Sequence, residues 1–192
     1  MRDYLQKEIE FNNLVMDWNK KINLVSRKKT DVYDLIDDSR IFIDYIDFSR
    51  KPVIMDLGTG GGFPGIVVKI HHPEIRVILV DSIMKKITAV CEITSKLGLK
   101  DIPAVCIRAE DLSKNKVFKN SFDYIVARSV AKLKELVKWS HELIKPGGKL
   151  ITLKGGDVEG EIKHAKEMKC VKSIERTSGE GKEILIVNFK TR

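Results

Sequence analysis

The stretch Met55–Gly65 reads MDLGTGGGFPG, five glycines in eleven residues with a carboxylate, Asp56, just ahead of them. Glycine costs folding entropy, so a run this dense is expected where backbone turns tightly or approaches a ligand closely. Gly60, Gly62 and Gly65 satisfy G-x-G-x-x-G after an apolar run, the fingerprint of a dinucleotide site whose pyrophosphate sits over the loop and the next helix N-terminus. Asp56 argues against that occupant, because a carboxylate at the strand end repels pyrophosphate. S-adenosylmethionine has no phosphate and carries a cationic ammonium and sulfonium, so an acidic loop mouth favours it over a nicotinamide dinucleotide. Asp81, in VILVDS, ends the next apolar run where a ribose diol finds an acceptor, and suits either nucleoside ligand. Arg108-Ala109-Glu110-Asp111 follows the third run and offers acidic side chains and backbone N–H groups to an adenine edge.

These residues need a scaffold that brings several strand ends together. After Pro52, short apolar runs alternate with helical segments, the pattern of βαβ units on a mostly parallel sheet. Strands are expected at Val53–Leu57, Arg76–Val80, Ala104–Ile107, Phe122–Ala127 and Lys149–Leu153. Helices are expected near 64–71, 84–97 and 132–145, the last stopped by Pro146-Gly147-Gly148. A helix near 157–168 and strands Val171–Arg176 and Glu183–Phe189, parted by the turn signal Ser178–Gly181, close the chain. A terminal hairpin after βα units fits a class I (Rossmann-like) methyltransferase, an α/β fold with a seven-stranded, mostly parallel sheet and an antiparallel last strand. Helical spacing of apolar residues over 3–19 and 31–48 adds a short N-terminal helical extension, residues 1–50, ahead of a methyltransferase domain, 51–192.

The chain has 192 residues, 43% hydrophobic and 32% charged, within the range of one soluble domain. Its 35 Lys and Arg against 27 Asp and Glu give a net charge of +8. That excess favours an anionic partner, nucleic acid foremost, although it also serves solubility. No apolar run approaches the roughly 18 residues of a membrane helix, and MRDYLQKEIEF lacks a signal-peptide core, so a cytoplasmic protein without a membrane partner is expected. Cys91, Cys106 and Cys170 lack metal-site spacing and are expected as buried reduced thiols, with no metal bound. His71, His72, His141 and His164 are expected to be structural.

DLGTGGGFPG, the upstream WNKKINLVS, Asp38-Ser39, LVDS at 79–82, RAE at 108–110, Ala127-Arg128 and LKGG at 153–156 together resemble the RsmG (GidB) family, in order and over nearly the whole chain. FPG and WNKxxNL are the most specific parts. The resemblance implies S-adenosylmethionine as cofactor and methylation of N7 of one guanine, 527 in the usual rRNA numbering, in the decoding-site stem-loop of bacterial 16S rRNA. The partner would be 16S rRNA or the small ribosomal subunit, and the enzyme is expected to be a monomer. The family's cofactor contacts fall on Gly58, Phe63, Ala109, Glu110 and Arg128, beside Gly60 and Asp81; Gly58 and Gly60 would admit the methionine moiety and Phe63 would pack on the cofactor's apolar face. The chain departs from the family's pattern at Asp34-Leu35, where Arg-His is common, and at Val25, where Thr is common.

Guanine N7 carries a lone pair and no proton, so no catalytic acid or base is expected. The RNA surface is expected on the basic stretch 20–29, namely Lys20, Lys21, Arg27 and Lys28, with Arg128 and Lys154, and with Lys132 and Lys134 as further candidates. A methyltransferase of the same fold acting on a small molecule or a protein is the alternative. An NAD-linked or non-catalytic nucleotide-binding module is a third reading.

Overall fold

Residues 3–156, 158–179 and 182–191 are described by the computed structural model. Seven strands form one sheet: β1 (Val53–Leu57), β2 (Arg76–Asp81), β3 (Ala104–Cys106), β4 (Phe122–Arg128), β5 (Ile144–Gly155), β6 (Val171–Gly179) and β7 (Lys182–Phe189). Their order is β3-β2-β1-β4-β5-β7-β6, with β7 inserted antiparallel between β5 and β6 and the remaining ladders parallel. The mostly parallel sheet and its antiparallel last strand are as the sequence pattern implies.

Strand side chains alternate between faces, and the alternation divides the core in two. Ile54, Val77, Leu79 and Val126 face a layer made by α1 (Asp3–Asn19), α2 (Tyr33–Arg40), α3 (Gly65–His71) and α4 (Met84–Lys96). Met55, Ile78, Val80 and Ile125 face α5 (Ala109–Leu112), α6 (Leu133–Ser140) and α7 (Glu159–Lys166). Each such fully buried aliphatic side chain contributes about 1.5–3 kcal/mol relative to exposure.

The first helices join the sheet's α3–α4 face through both apolar and polar contacts. Phe11 is fully buried with its ring 5.0 Å from that of Phe63. Two buried asparagines on α1 fasten the loop behind it: Asn19 Oδ1 accepts from the N–H groups of Leu24 (3.0 Å) and Val25 (3.1 Å), and Asn12 Oδ1 from that of Val32 (2.9 Å). Those bonds explain why WNKKINLV needs Asn at position 19, a role the spacing does not reveal. Glu8, nearly inaccessible, accepts from Arg40 Nε at 2.9 Å and lies 2.8 Å from His71 Nε2. Burial alone would raise its pKa; bonds to Arg40 and His71 outweigh that and hold it below the ordinary glutamate value.

Several boundaries move. The helix expected over 31–48 stops at Arg40 and continues as a 3-10 turn, Ile41–Tyr45, where the β-branched Ile41 and Ile43 weaken an α-helix. The helix expected to reach 145 ends at Ser140, because the carbonyls of Glu142 and Leu143 accept from Asn120 (3.0 Å) and Ser121 (2.8 Å) and start β5 early. Gly148 then sits against β4: a Cβ there would lie 2.7 Å from the Asp123 carbonyl oxygen. Asp157, at the start of the expected last helix, and Glu180 and Gly181 of the expected turn lie outside the described residues. Contrary to expectation, the cysteines are not buried: Cys91 is exposed on α4, and Cys106 and Cys170 are partly exposed.

Candidate active site

The strand order reverses between β1 and β4, which opens a crevice at the strands' carboxyl ends. The glycine loop leaves β1 there and is tied to β2, since the N–H groups of Gly58 and Thr59 both donate to the Val80 carbonyl at 2.8 Å. Asp56, expected to face a cationic ligand at the loop mouth, instead lies fully buried beneath the loop. Alternation along β1 turns it toward α3, where Oδ2 accepts from Thr59 Oγ1 (2.6 Å) and the Gly65 N–H (2.9 Å). Burial pushes its pKa up to about 6 despite the opposing effects of Thr59, Gly65 and Arg128. The carboxylate therefore holds the loop rather than seating a ligand. Gly65 is required by this contact: a Cβ would come within 2.6 Å of Leu79 Cδ2 and 2.7 Å of Asp56 Oδ2.

A cavity of about 330 Å³ opens beside the loop, with walls that include Leu57, Val80, Ile107 and Trp139 and polar edges at Asp81 and Glu110. Gly58, Asp81, Ala109 and Glu110, four of the expected cofactor residues, all line it. Asp81 is oriented by the chain itself, its Oδ2 accepting from the Gly60 N–H (3.0 Å) and its Oδ1 from the Ile83 N–H (2.9 Å). Each oxygen keeps a second lone pair for a ligand hydroxyl. Gly58 has φ +76°, and a Cβ on it would lie 2.6 Å from Val130 Cγ2, so both its backbone and its space require glycine. Lys86, Ser129, Val130 and Trp139 also line the cavity. No motif marks them; α4, the β4–α6 connection and α6 bring them in only through the fold. An apolar floor with two carboxylates at its edge fits the adenosine part of S-adenosylmethionine.

Phe63 and Arg128 stand apart from that cavity. Phe63 is 2% exposed, with Phe11 beside it and the Arg128 guanidinium 5.4 Å over its ring, so its side chain packs in the core rather than along the cavity. Arg128 ends β4 and approaches Asp38 of α2, NH1 to Oδ2 3.8 Å, an ion pair too long to be a hydrogen bond. Burial lowers its pKa while Asp38, Asp56 and Asp34 oppose the shift; a guanidinium stays charged throughout.

Within the basic stretch, Leu24 is buried against the glycine loop, its Cβ 3.6 Å from where a Cβ on Gly61 would be. Lys20, Lys21, Arg27 and Lys28 are exposed, Lys20 and Lys21 beside Glu92 and Lys96 of α4 rather than on the cavity. Lys20 pairs with Asp17 at 2.8 Å and Lys21 lies 4.8 Å over the Trp18 ring. Lys154, expected on the RNA surface, is turned inward: its side chain is 11% exposed and bonds the Ala131 carbonyl and Glu161, the latter at 2.9 Å. Glu161 also accepts from the Leu133 N–H at 2.7 Å, so this pair fixes the start of α6.

Strand order, the antiparallel β7 and a ligand-sized cavity at the carboxyl ends of β1–β4 define a class I methyltransferase fold. The same fold is seen in ribosomal protein L11 methylase from Lactobacillus delbrueckii subsp. bulgaricus (TM-score 0.65, 20% identity, 82% of this chain and 79% of that one). It recurs in M. jannaschii TYW2 in complex with AdoMet (TM-score 0.64, 14% identity, 82% of this chain and 76% of that one). The family model GidB, rRNA small subunit methyltransferase G, matches residues 4–184, and the chain belongs to that family. Ribosomal RNA small subunit methyltransferase G of Clostridium novyi (strain NT) is 37% identical over 163 residues, 83% of this chain and 66% of that protein. The protein of the same name from Clostridium tetani (strain Massachusetts / E88) is 38% identical over 188 residues, 95% of this chain and 75% of that one. The match to the first of these therefore spans just under two thirds of the relative's length.

Proposed function

We propose that the protein transfers a methyl group from S-adenosylmethionine to N7 of a guanine, position 527, of bacterial 16S rRNA, acting in the cytoplasm as a monomer. The observation that carries this reading is the meeting of Gly58, Asp81, Ala109 and Glu110 around one cavity, in a chain of the rRNA small subunit methyltransferase G family.

Asp81 would hold the ribose hydroxyls, since its two oxygens are aimed by Gly60 and Ile83 and each has one lone pair free. Ala109 and Glu110 would border the adenine, while Leu57, Val80, Ile107 and Trp139 exclude water from its faces. When bound, the cofactor supplies a methyl group on an electron-poor sulfonium. Guanine N7 has no proton to remove, so no residue is assigned as acid or base, and the chain's contribution is alignment, which can lower a barrier by several kcal/mol. Lys20, Lys21, Arg27, Lys28 and Arg128 would address phosphates and fix the RNA's register.

The test is transfer of labelled methyl to naked 16S RNA, free small subunits and assembled ribosomes from cells lacking the activity, followed by mapping of N7-methylguanine. Label at one guanine N7 is the expected result. Cofactor binding with label appearing only on a protein or small molecule would overturn the RNA reading.

A further inference from the structure

Arg128 is a buried cation with few partners of its own. Its side chain is 16% exposed, its Nε is buried with no hydrogen-bond partner among the described residues, and its face rests on Phe63. Three carboxylates attract it, Asp38 first, then Asp56 and Asp34. Asp56 lies below, under the glycine loop, and Asp38 of α2 lies outward at 3.8 Å. Asp38 is itself buried, 12% exposed in its side chain, and its other oxygen accepts from Lys182 of β7. One carboxylate thus gathers α2, the end of β4 and the start of β7.

An unpaired carboxylate or guanidinium in that position would be costly. With Asp38 neutralised, Asp56 and Asp34 remain to attract the guanidinium, and Asp56 would draw it under the loop. From this geometry we infer that Asp38 is a positioning residue for Arg128: it holds the guanidinium out at the end of β4, where an anionic oxygen of the ligand docks. That oxygen belongs either to the cofactor's carboxylate or to an RNA phosphate. Asp38 touches neither ligand and acts through Arg128. The inference rests on the proposed function only for the RNA arm of its test.

The experiment is a double-mutant cycle of Asp38→Asn and Arg128→Lys in the full chain. Adenosylhomocysteine affinity by calorimetry reads the carboxylate, and KM and kcat for the small subunit read the phosphate. Asp38→Asn should lose roughly tenfold in the same parameter that Arg128→Lys loses, and the double variant should be no worse than Arg128→Lys alone. Asp38→Glu, which retains the charge, should recover most of the loss. Lys182→Met leaves Asp38 in place and should stay within about threefold of wild type. The inference is overturned by losses that add in the double variant, by a drop in melting temperature with every ligand parameter unchanged, or by a Lys182→Met loss equal to that of Asp38→Asn. Calorimetry needs no RNA. A wild-type enzyme inert toward the subunit would sink the functional reading and still leave Asp38 judged by the cofactor arm.

Discussion

The two sides of the β1–β4 crevice are built on opposite terms. On the proposed nucleoside side, formed by the ends of β2 and β3 and the glycine loop, the polar groups nearest the loop are bonded by the chain: Asp81 receives two backbone N–H groups, and Gly58 and Thr59 share the Val80 carbonyl. On the proposed acceptor side, at the end of β4, beside the buried Asp56 of β1 and under the N-terminal helices, charge is buried with less support. Arg128 Nε and Asp56 Oδ1 have no hydrogen-bond partner among the described residues, and the Arg128–Asp38 pair is long. A pre-bonded surface can receive a neutral nucleoside without rearranging. Under-bonded buried charges cost stability until an ion of the opposite sign arrives, so the second side is where incoming charge should matter.

The largest effect should come from the joint between the two sides. Gly65→Ala would press a methyl into Leu79 and Asp56, at 2.6 and 2.7 Å. Overpacking of this kind costs about 3 kcal/mol, and it displaces the loop that both sides share. Thermal melting should fall by several degrees, and adenosylhomocysteine binding should disappear from calorimetric titration. Unchanged affinity would mean that the loop's shape is not what admits the nucleoside.

Asp56 gives the next effect, with a sign set by its pKa. Burial raises that value from 3.8 to about 6 in the folded state, so between those limits the native protein holds a proton that the unfolded chain has released. The associated stabilisation is complete below about pH 4 and lost as pH rises through about 6. Relative to Asp56→Asn, which does not titrate, the wild type should therefore lose up to about 3 kcal/mol between pH 4 and pH 7. Denaturant unfolding of both proteins at several pH values measures this. A constant difference would show that Arg128 keeps Asp56 ionised throughout, and that the acceptor side is better balanced than its geometry implies.

Asp81→Asn probes the pre-bonded side and should do less. Its single carbonyl oxygen can keep one of the two N–H bonds from Gly60 and Ile83, and the charge toward the ribose is gone. A hydrogen bond to a charged group contributes about 1.5–3 kcal/mol, so affinity for adenosylhomocysteine should drop by about tenfold to a hundredfold with stability little altered.

The sheet and the cavity at its strand ends were legible in the sequence because each is local. Apolar runs gave β1 through β4 nearly to the residue, and the strand-end residues Gly58, Asp81, Ala109 and Glu110 fell around one cavity. What was not legible were the contacts that join distant segments. Lys154 reads as a soluble strand end until α7 brings Glu161 to it, and Asp56 reads as a ligand contact until α3 is seen to cover it. Phe63 reads as a surface for ligand until Phe11, from a helix more than fifty residues earlier, occupies its face. Sequence spacing fixes which way a strand residue points only when the layer over each face is known.

The basic stretch tests whether RNA reaches the acceptor side from the N-terminal face, and its effect should be the smallest. Arg27 and Lys28 are exposed, and Arg27 Nε donates to the exposed Asn23 Oδ1 at 2.5 Å, so replacing both with Gln should leave folding and adenosylhomocysteine affinity unchanged. If each neutralises one phosphate, log affinity for the RNA should fall less steeply with log salt, the slope shrinking by about 1 per residue. Lys154→Gln is the matched control. Its side chain is inward and paired with Glu161, so its removal should lower melting temperature by loosening α6 and leave the salt slope as it was. A slope that responds to Lys154 and ignores Arg27 and Lys28 would place the RNA on the opposite wall, beside α6, and reverse the assignment of the two sides.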